Sequence, residues 1–292
     1  MIDNPQSRDR HPPRPSPEQL LQQHREELQQ RFALPSARPP RRSRKALLGP
    51  LLLLLASALL LWLDPAYHHE SHVSGEQRQT VTLADGSQAL LDSRTRLQAA
   101  WHLRSRRLTL EYGQVNLAVQ RQPSRPLRVD AGALRIAVLG TTFSVLREHE
   151  RAEVTVIEGR VAVTNARGTE HYELRAGDRI LAGAGGLKQP QQVDLETAIA
   201  WTSGRLIFRR TPLEEAVRQM QRYHPAPIRL NEPALGGLPV SGALSTTRVA
   251  AFITALPALL PVAVTEAEDG GLRIDQRYLF SSPGRVRSAA QR

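Results

Sequence analysis

The sequence predicts a single-pass membrane protein carrying an all-β antiparallel domain, either a sandwich or a short β-solenoid, followed by a small α+β domain of βαββαβ-like order. Three observations predict it. Residues 46–63 hold eleven leucines and no charge. Residues 73 to about 184 alternate apolar and polar side chains, interrupted at intervals by glycine. Beyond Gly204 the pattern changes to short strands separated by two helical segments.

The apolar run comes first in the argument. As a helix, about 18 residues span roughly 27 Å, close to the hydrocarbon thickness of a bilayer. Gly49 and Pro50 fall in the first turn, where proline is tolerated, and Trp62 falls at interfacial depth. Arg38, Arg41, Arg42, Arg44 and Lys45 precede the run, whereas Asp64 and Glu70 follow it with no Lys or Arg before Arg78. The positive-inside rule then puts residues 1–45 in the cytoplasm and everything after Leu63 outside it. A cleaved signal peptide fits less well, because the Ala-x-Ala of Ala56 and Ala58 lies inside the run.

Residues 1–45 form a cytoplasmic tail. Its start is proline-rich and extended. Ser16 is placed to cap a helix over residues 17–33, with Pro17 at its first position. Leu20, Leu21, Leu28 and Phe32 make one narrow apolar stripe on it. A lone helix cannot bury such a stripe, so the stripe is a candidate partner-binding surface.

Residues 64–74 read as a flexible linker. His68, His69, Glu70 and His72 crowd it, but no outer support for a metal is visible and no metal is expected there. Residues 75–190 make the β domain. Thr80 to Leu83 and Ala89 to Leu91 flank the turn Ala84-Asp85-Gly86-Ser87. Val115, Leu117 and Val119 alternate, as do Leu134, Ile136 and Val138, and then Val161 and Val163.

Residues 191–276 make the α+β domain. Thr211 is expected to cap a helix with Pro212 at its first position and Glu214 completing a capping box. Leu213, Ala216, Val217 and Met220 form its inner face. Strands follow near Ile228 and from Leu238 to Leu244. A second helix begins near Thr247, and two closing strands flank Gly270 and Gly271. Residues 277–292 read as a disordered tail.

The net charge of +11 raises the question of nucleic acid. Much of the excess sits beside the apolar run and the rest is scattered along alternating strands, so no direct nucleic-acid contact is expected. With no cysteine there is neither a disulfide frame nor a thiolate metal site. No nucleophile elbow, phosphate-binding loop or zinc-protease motif occurs, so no enzyme of ordinary turnover and no cofactor is expected.

Several stretches in fixed order carry a family resemblance. They are Gly75-Glu76, then Val81-Thr82-Leu83-Ala84-Asp85-Gly86-Ser87, then Arg107-Leu108-Thr109-Leu110-Glu111-Tyr112-Gly113. The most specific are Val138-Leu139-Gly140-Thr141-Thr142-Phe143-Ser144-Val145 and Val154-Thr155-Val156-Ile157-Glu158-Gly159-Arg160-Val161, followed by Leu174-Arg175-Ala176-Gly177-Asp178. Together they resemble the FecR family of bacterial transmembrane anti-sigma regulators. The last domain is similar to the short N-terminal module (STN) of secretins and TonB-dependent receptors. That likeness is carried by Trp201 to Phe208, by Thr211-Pro212-Leu213-Glu214-Glu215, by Arg222-Tyr223 and by Pro239-Val240-Ser241-Gly242.

The resemblance implies a relay across two membranes. The protein would sit in the bacterial inner membrane, N-terminus cytoplasmic and C-terminus periplasmic. A TonB-dependent outer-membrane transducer, loaded with iron-siderophore or haem, would present its signalling domain. Its partner inside would be an extracytoplasmic-function (ECF) sigma factor, with periplasmic and intramembrane proteases taking part. It also implies a single self-cleavage at Gly140-Thr141, where the Thr hydroxyl attacks the preceding carbonyl. The alternative is that Gly140 only supplies an unusual turn angle. The tail holds no Trp and is shorter than the helical anti-sigma domain of the family. An exposed edge at Val240, Gly242 and Leu244 is the candidate surface for strand addition by the periplasmic partner. The alternative function is a membrane-anchored periplasmic module that binds peptidoglycan or protein without regulating a sigma factor.

Overall fold

The computed structural model describes residues 16–31 and 48–277. Phe32, the basic cluster at 38–45 and the tail 278–292 lie outside the described residues. The chain divides into two units, Met1–Ser57 and Ala58–Arg292.

In the first unit, α1 (Pro17–Arg31) starts at a reciprocal cap. Gln19 N–H donates to Ser16 Oγ at 3.4 Å and Ser16 N–H donates to Gln19 Oε1 at 3.3 Å, which satisfies free backbone donors of the first turn. Leu20, Leu21 and Leu28 are exposed, so nothing among the described residues covers this part of the stripe. Helix α2 (Leu48–Leu63) begins in this unit and ends in the next. Its described length of 16 residues corresponds to roughly 24 Å. Among the described residues no helix is long and apolar enough to cross a membrane. Ala46 and Leu47, which open the apolar run, lie outside them. Leu53 and Trp62 are 75 and 77 % exposed, so α2 is apolar without being buried in a protein core.

The β domain fills the first part of the second unit. Its strands are β1 (Ala66–Val73), β2 (Gln79–Thr82), β3 (Gln88–Leu91), β4 (Arg96–His102), β5 (Arg106–Ala118), β6 (Leu127–Asp130) and β7 (Leu134–Val138). They continue as β8 (Thr142–Glu148), β9 (Arg151–Glu158), β10 (Arg160–Asn165), β11 (His171–Arg175), β12 (Asp178–Gly183), β13 (Gly186–Leu187) and β14 (Gln191–Gln192). Strand β5 joins two layers. Its first half pairs with β4 and β6, and its second half pairs with β3 and β8. The bend falls at Gly113, with φ 92°, where a Cβ would lie 2.6 Å from Thr95 Cα. A side chain there is excluded both by the backbone angle and by that close approach. The sheet therefore curls over on itself. Leu91, Leu97, Trp101, Leu110, Leu117 and Phe143 fill the space between its layers.

Two expectations are corrected. Residues 64–74 are mostly strand rather than linker: β1 pairs antiparallel with β4 from Ala66 to Val73. The domain is also not wholly antiparallel, since β5 and β6 run parallel. The cause lies at Arg106. Its Nε donates to Arg125 O at 2.9 Å and its Nη1 to Gln120 O at 3.0 Å, so the returning loop is held beside the start of β5 and β6 enters from the same end.

The second part comprises α3 (Leu195–Ala198), a 3-10 turn (Ala200–Ser203), β15 (Arg205–Pro212), α4 (Leu213–Gln221), β16 (Ile228–Leu230), β17 (Pro239–Ser245), α5 (Val249–Leu259), β18 (Val262–Glu266) and β19 (Leu272–Gln276). β15 pairs with β17, while β19 lies between β16, parallel to it, and β18, antiparallel. Leu213, Ala216 and Met220 from α4 pack with Phe208, Ile253, Leu256 and Ile274. Pro212 proves to be the N-cap position of α4 rather than its first residue, and Thr211 belongs to β15, so the expected capping box does not form. The second helix is entered through Ser245, whose Oγ accepts from Thr247 N–H at 3.3 Å.

Candidate functional site

A cluster of buried polar groups in the second unit lies where its two halves meet. Tyr223, just past α4, donates its hydroxyl to Asp92 Oδ2 at 2.5 Å. Arg222 Nη1 donates to Glu148 Oε1 at 3.1 Å. Arg78 Nη1 reaches Trp201 O at 2.8 Å. Burial pushes the Asp92 carboxyl above its ordinary value, against the opposing pull of the Tyr223 hydrogen bond and the Arg222 charge. Burial first, then the Asp92 charge, pushes the Tyr223 phenol far above its own range. The phenol therefore stays protonated and donating. A cavity of about 500 Å³ opens beside this seam, lined by Gln114, Glu153, Arg179, Trp201, Glu215 and Arg222. Among the described residues, Trp201 Nε1 and Gln114 Oε1 have no hydrogen-bond partner. No nucleophile, base and orienting group line up here, and the arrangement is that of a joint: a few buried polar contacts fix how one half sits on the other.

Near the start of β1, alternate residues His68, Glu70 and His72 share one strand face. Glu70 accepts from Trp101 Nε1 at 2.8 Å and lies 3.3 Å from His68 Nε2 and 3.0 Å from His72 Nε2. Burial works against its charge, but the bonds from His72 and Trp101 and the nearby imidazoles hold the carboxyl below its ordinary value. Among the described residues no group of three or more His, Cys, Asp or Glu is arranged to hold a metal ion.

Gly140 and Thr141 sit between β7 and β8. Thr141 is buried and its Oγ1 donates to Arg160 O at 2.9 Å. Gly140 does not have a positive φ. Its need for glycine comes instead from the neighbouring loop, since a Cβ there would lie 2.7 Å from Arg121 Cα. The turn-angle explanation is thereby replaced by a steric one.

On β17, the structure places Val240 and Leu244 in the core, 2 and 8 % exposed, and lays Gly242 against the Phe252 ring. Ser241 and Ala243 face outward instead. The strand pairs with β15 on one side, and among the described strands nothing pairs with its other side. What it offers a partner is backbone, with Ser241 and Ala243 as the side chains in reach. Leu20, Leu21 and Leu28 stand exposed on α1 and Phe32 lies outside the described residues. Sequence reasoning missed the roles of Asp92 and Arg106, while Arg222 and Tyr223 were visible only as a matching dipeptide.

Two crystal structures of a candidate anti-sigma factor from Parabacteroides distasonis share the fold. One, at 1.65 Å resolution, aligns with a TM-score of 0.62 and 21 % identity over 71 % of this chain and 99 % of that one. The other, at 2.50 Å, aligns with a TM-score of 0.61 and 21 % identity over 72 % and 99 %. A comparison with curated proteins finds no significant match. The family model described as FecR protein matches residues 70–162, from β1 into β10. The motif stretches from Gly75 to Val161 fall within that match, whereas Leu174 to Asp178 lies beyond it, and residues 70–162 are thus similar to the FecR protein family.

Proposed function

We propose that this chain is a transmembrane anti-sigma factor of the FecR type. It crosses the bacterial inner membrane once through residues 46–63. In the periplasm it meets the signalling domain of a TonB-dependent transducer loaded with iron-siderophore or haem. In the cytoplasm it regulates an ECF sigma factor, with proteolysis as part of the relay. The FecR match over residues 70–162 carries this reading. Three features support it. The Parabacteroides distasonis neighbours are described as a candidate anti-sigma factor. The apolar run separates an arginine-rich side from an acidic one. Leu20, Leu21 and Leu28 of the α1 stripe are exposed, as a partner-binding surface requires. Signal entry is assigned to the free edge of β17 and sigma contact to Leu20, Leu21, Leu28 and Phe32.

The test is copurification of the full chain with the ECF sigma factors of its own cell. One sigma factor is expected to follow it, and the L28D/F32D double variant to lose that sigma factor and the target-gene response together. An unchanged response in the double variant removes the stripe from the mechanism. Sedimentation with sacculi in place of sigma binding favours the periplasmic structural module.

A further inference from the structure

We propose that the end of the β domain carrying Asp64 is a docking surface for anionic phospholipid headgroups, seating the domain on the bilayer that α2 enters. The inference rests on the membrane crossing proposed above. Asp64 is the first residue after α2. Its carboxylate accepts from Arg104 N–H at 2.9 Å and from Ser105 Oγ at 2.8 Å, and its carbonyl lies 2.5 Å from His102 Nδ1. The 102–105 turn is therefore fastened within hydrogen-bond distance of the point where the chain leaves the helix.

That turn holds Leu103 out at 54 % exposure, and Tyr67 nearby is 61 % exposed. Arg125 ties the two together, since its Nη2 reaches both His102 O at 2.6 Å and Tyr67 Oη at 3.3 Å. Arg107 and Arg128 face each other across the parallel β5–β6 pair, both exposed on the outer side of the sheet. Arg107 is close enough to Asp64 to act on its charge. Arg121 is exposed on the loop that Arg106 fastens to the same end. Among the described residues neither Arg121 nor Arg128 forms an ion pair. A shallow basin of about 670 Å³, floored by Ala137 and Ala162, opens beside Arg107 and Arg128.

The sequence next to the apolar run is acidic on this side, yet folding returns the exposed Arg107, Arg121 and Arg128 to it from later in the chain. Exposed apolar side chains fringed by arginine, next to the end of an apolar helix, fit a headgroup layer: the rings and leucine enter the interface and the guanidiniums meet phosphate. A periplasmic soluble partner does not require those groups to cluster at the helix exit.

The absence of native cysteine makes a direct test available. The full chain carrying L103C, labelled with an environment-sensitive fluorophore, is placed in nanodiscs of phosphatidylcholine with and without phosphatidylglycerol. With the anionic lipid the emission shifts to the blue and is quenched by a shallow spin-labelled lipid. High salt reverses the effect, as does the R107Q/R121Q/R128Q triple variant, whose substitutions are all at exposed positions and whose fold is checked by circular dichroism. A probe at R167C, in the turn at the far end of β10, stays aqueous. An aqueous L103C probe in anionic discs overturns the proposal, as does equal quenching with neutral lipid or equal quenching at R167C. If the chain fails to enter discs of either composition, the membrane reading falls and the docking surface falls with it. Entry with an aqueous L103C probe leaves the membrane reading in place and removes only the docking surface.

Discussion

Arg106 Nη1 lies 2.5 Å from Asp85 Oδ2, and the two side chains are 0 and 3 % exposed. The pair sits where three segments converge. Asp85 belongs to the β2–β3 turn, where it accepts from Ser87 N–H at 2.9 Å and Ser87 Oγ at 2.8 Å. Ser87 Oγ in turn accepts from Gln120 N–H at 3.0 Å. Arg106 opens β5 and holds the loop that delivers β6. Two buried charges cost desolvation, and the cost is offset only because nearly every polar atom finds a partner.

Removing one member of this pair strands the other. R106A and D85A are each expected to cost about 3–5 kcal/mol of stability. The D85A/R106A double variant should be much closer to either single variant than to their sum. Urea unfolding followed by circular dichroism measures all three. Additive losses would mean that the two side chains act independently.

The pair also marks what was legible in the sequence. Asp85-Gly86-Ser87 announced a hairpin, and the alternation around Leu134, Val154 and Val161 announced strands, because period two is a local signal. The partner of Asp85 was not legible: an arginine beginning a strand reads as a solvated residue, and only the three-dimensional return of the 119–126 loop buries it. Strand β1 was missed because its His and Glu residues imitate a polar linker. Its alternation lies in contacts with Trp101, not in hydrophobicity. Val240 and Leu244 share a parity along β17, and that parity turns them inward. The outward residues of a strand are its other set, here Ser241 and Ala243.

At Gly140-Thr141 the chemistry implied by the family requires the Thr141 hydroxyl to add to the Gly140 carbonyl, shift the acyl group from nitrogen to oxygen, and leave an ester that water opens. The hydroxyl starts bonded to Arg160 O, which orients it. T141A is expected to abolish fragmentation between residues 140 and 141, while T141S retains it. Intact-mass analysis of purified protein reads the outcome. An uncut wild-type chain, or fragments that persist in T141A, removes self-cleavage from the mechanism.

Glu70 makes acid sensitivity local. Its folded pKa lies below the ordinary 4.5, so its contribution is present above that value and disappears as pH falls through the folded pKa. The wild-type melting temperature should therefore fall more steeply than that of E70Q on acidification below about pH 4.5. The amide of the E70Q variant keeps an acceptor for Trp101 Nε1 but loses the charge that His68 and His72 face. Parallel pH profiles of the two proteins would show that Glu70 contributes nothing to the acid transition.

At the seam, charge and hydrogen bonding pull in opposite directions, and two variants separate them. Y223F removes the donor to Asp92 and leaves a buried carboxylate with one fewer partner, at a cost of about 1–3 kcal/mol. D92N keeps an acceptor for Tyr223 and removes the charge that burial disfavours. The raised pKa of Asp92 fixes the sign: the ionised form weakens the fold above its folded pKa, and the penalty is relieved as pH falls through that value toward 3.8. D92N should thus match or exceed the wild type at neutral pH, with the difference shrinking in acid. Y223F should raise amide exchange in α4 while leaving β8 and β9 protected, because the joint loosens before either core does. Equal exchange in wild type and Y223F would show that the Tyr223–Asp92 bond does not hold the two halves together.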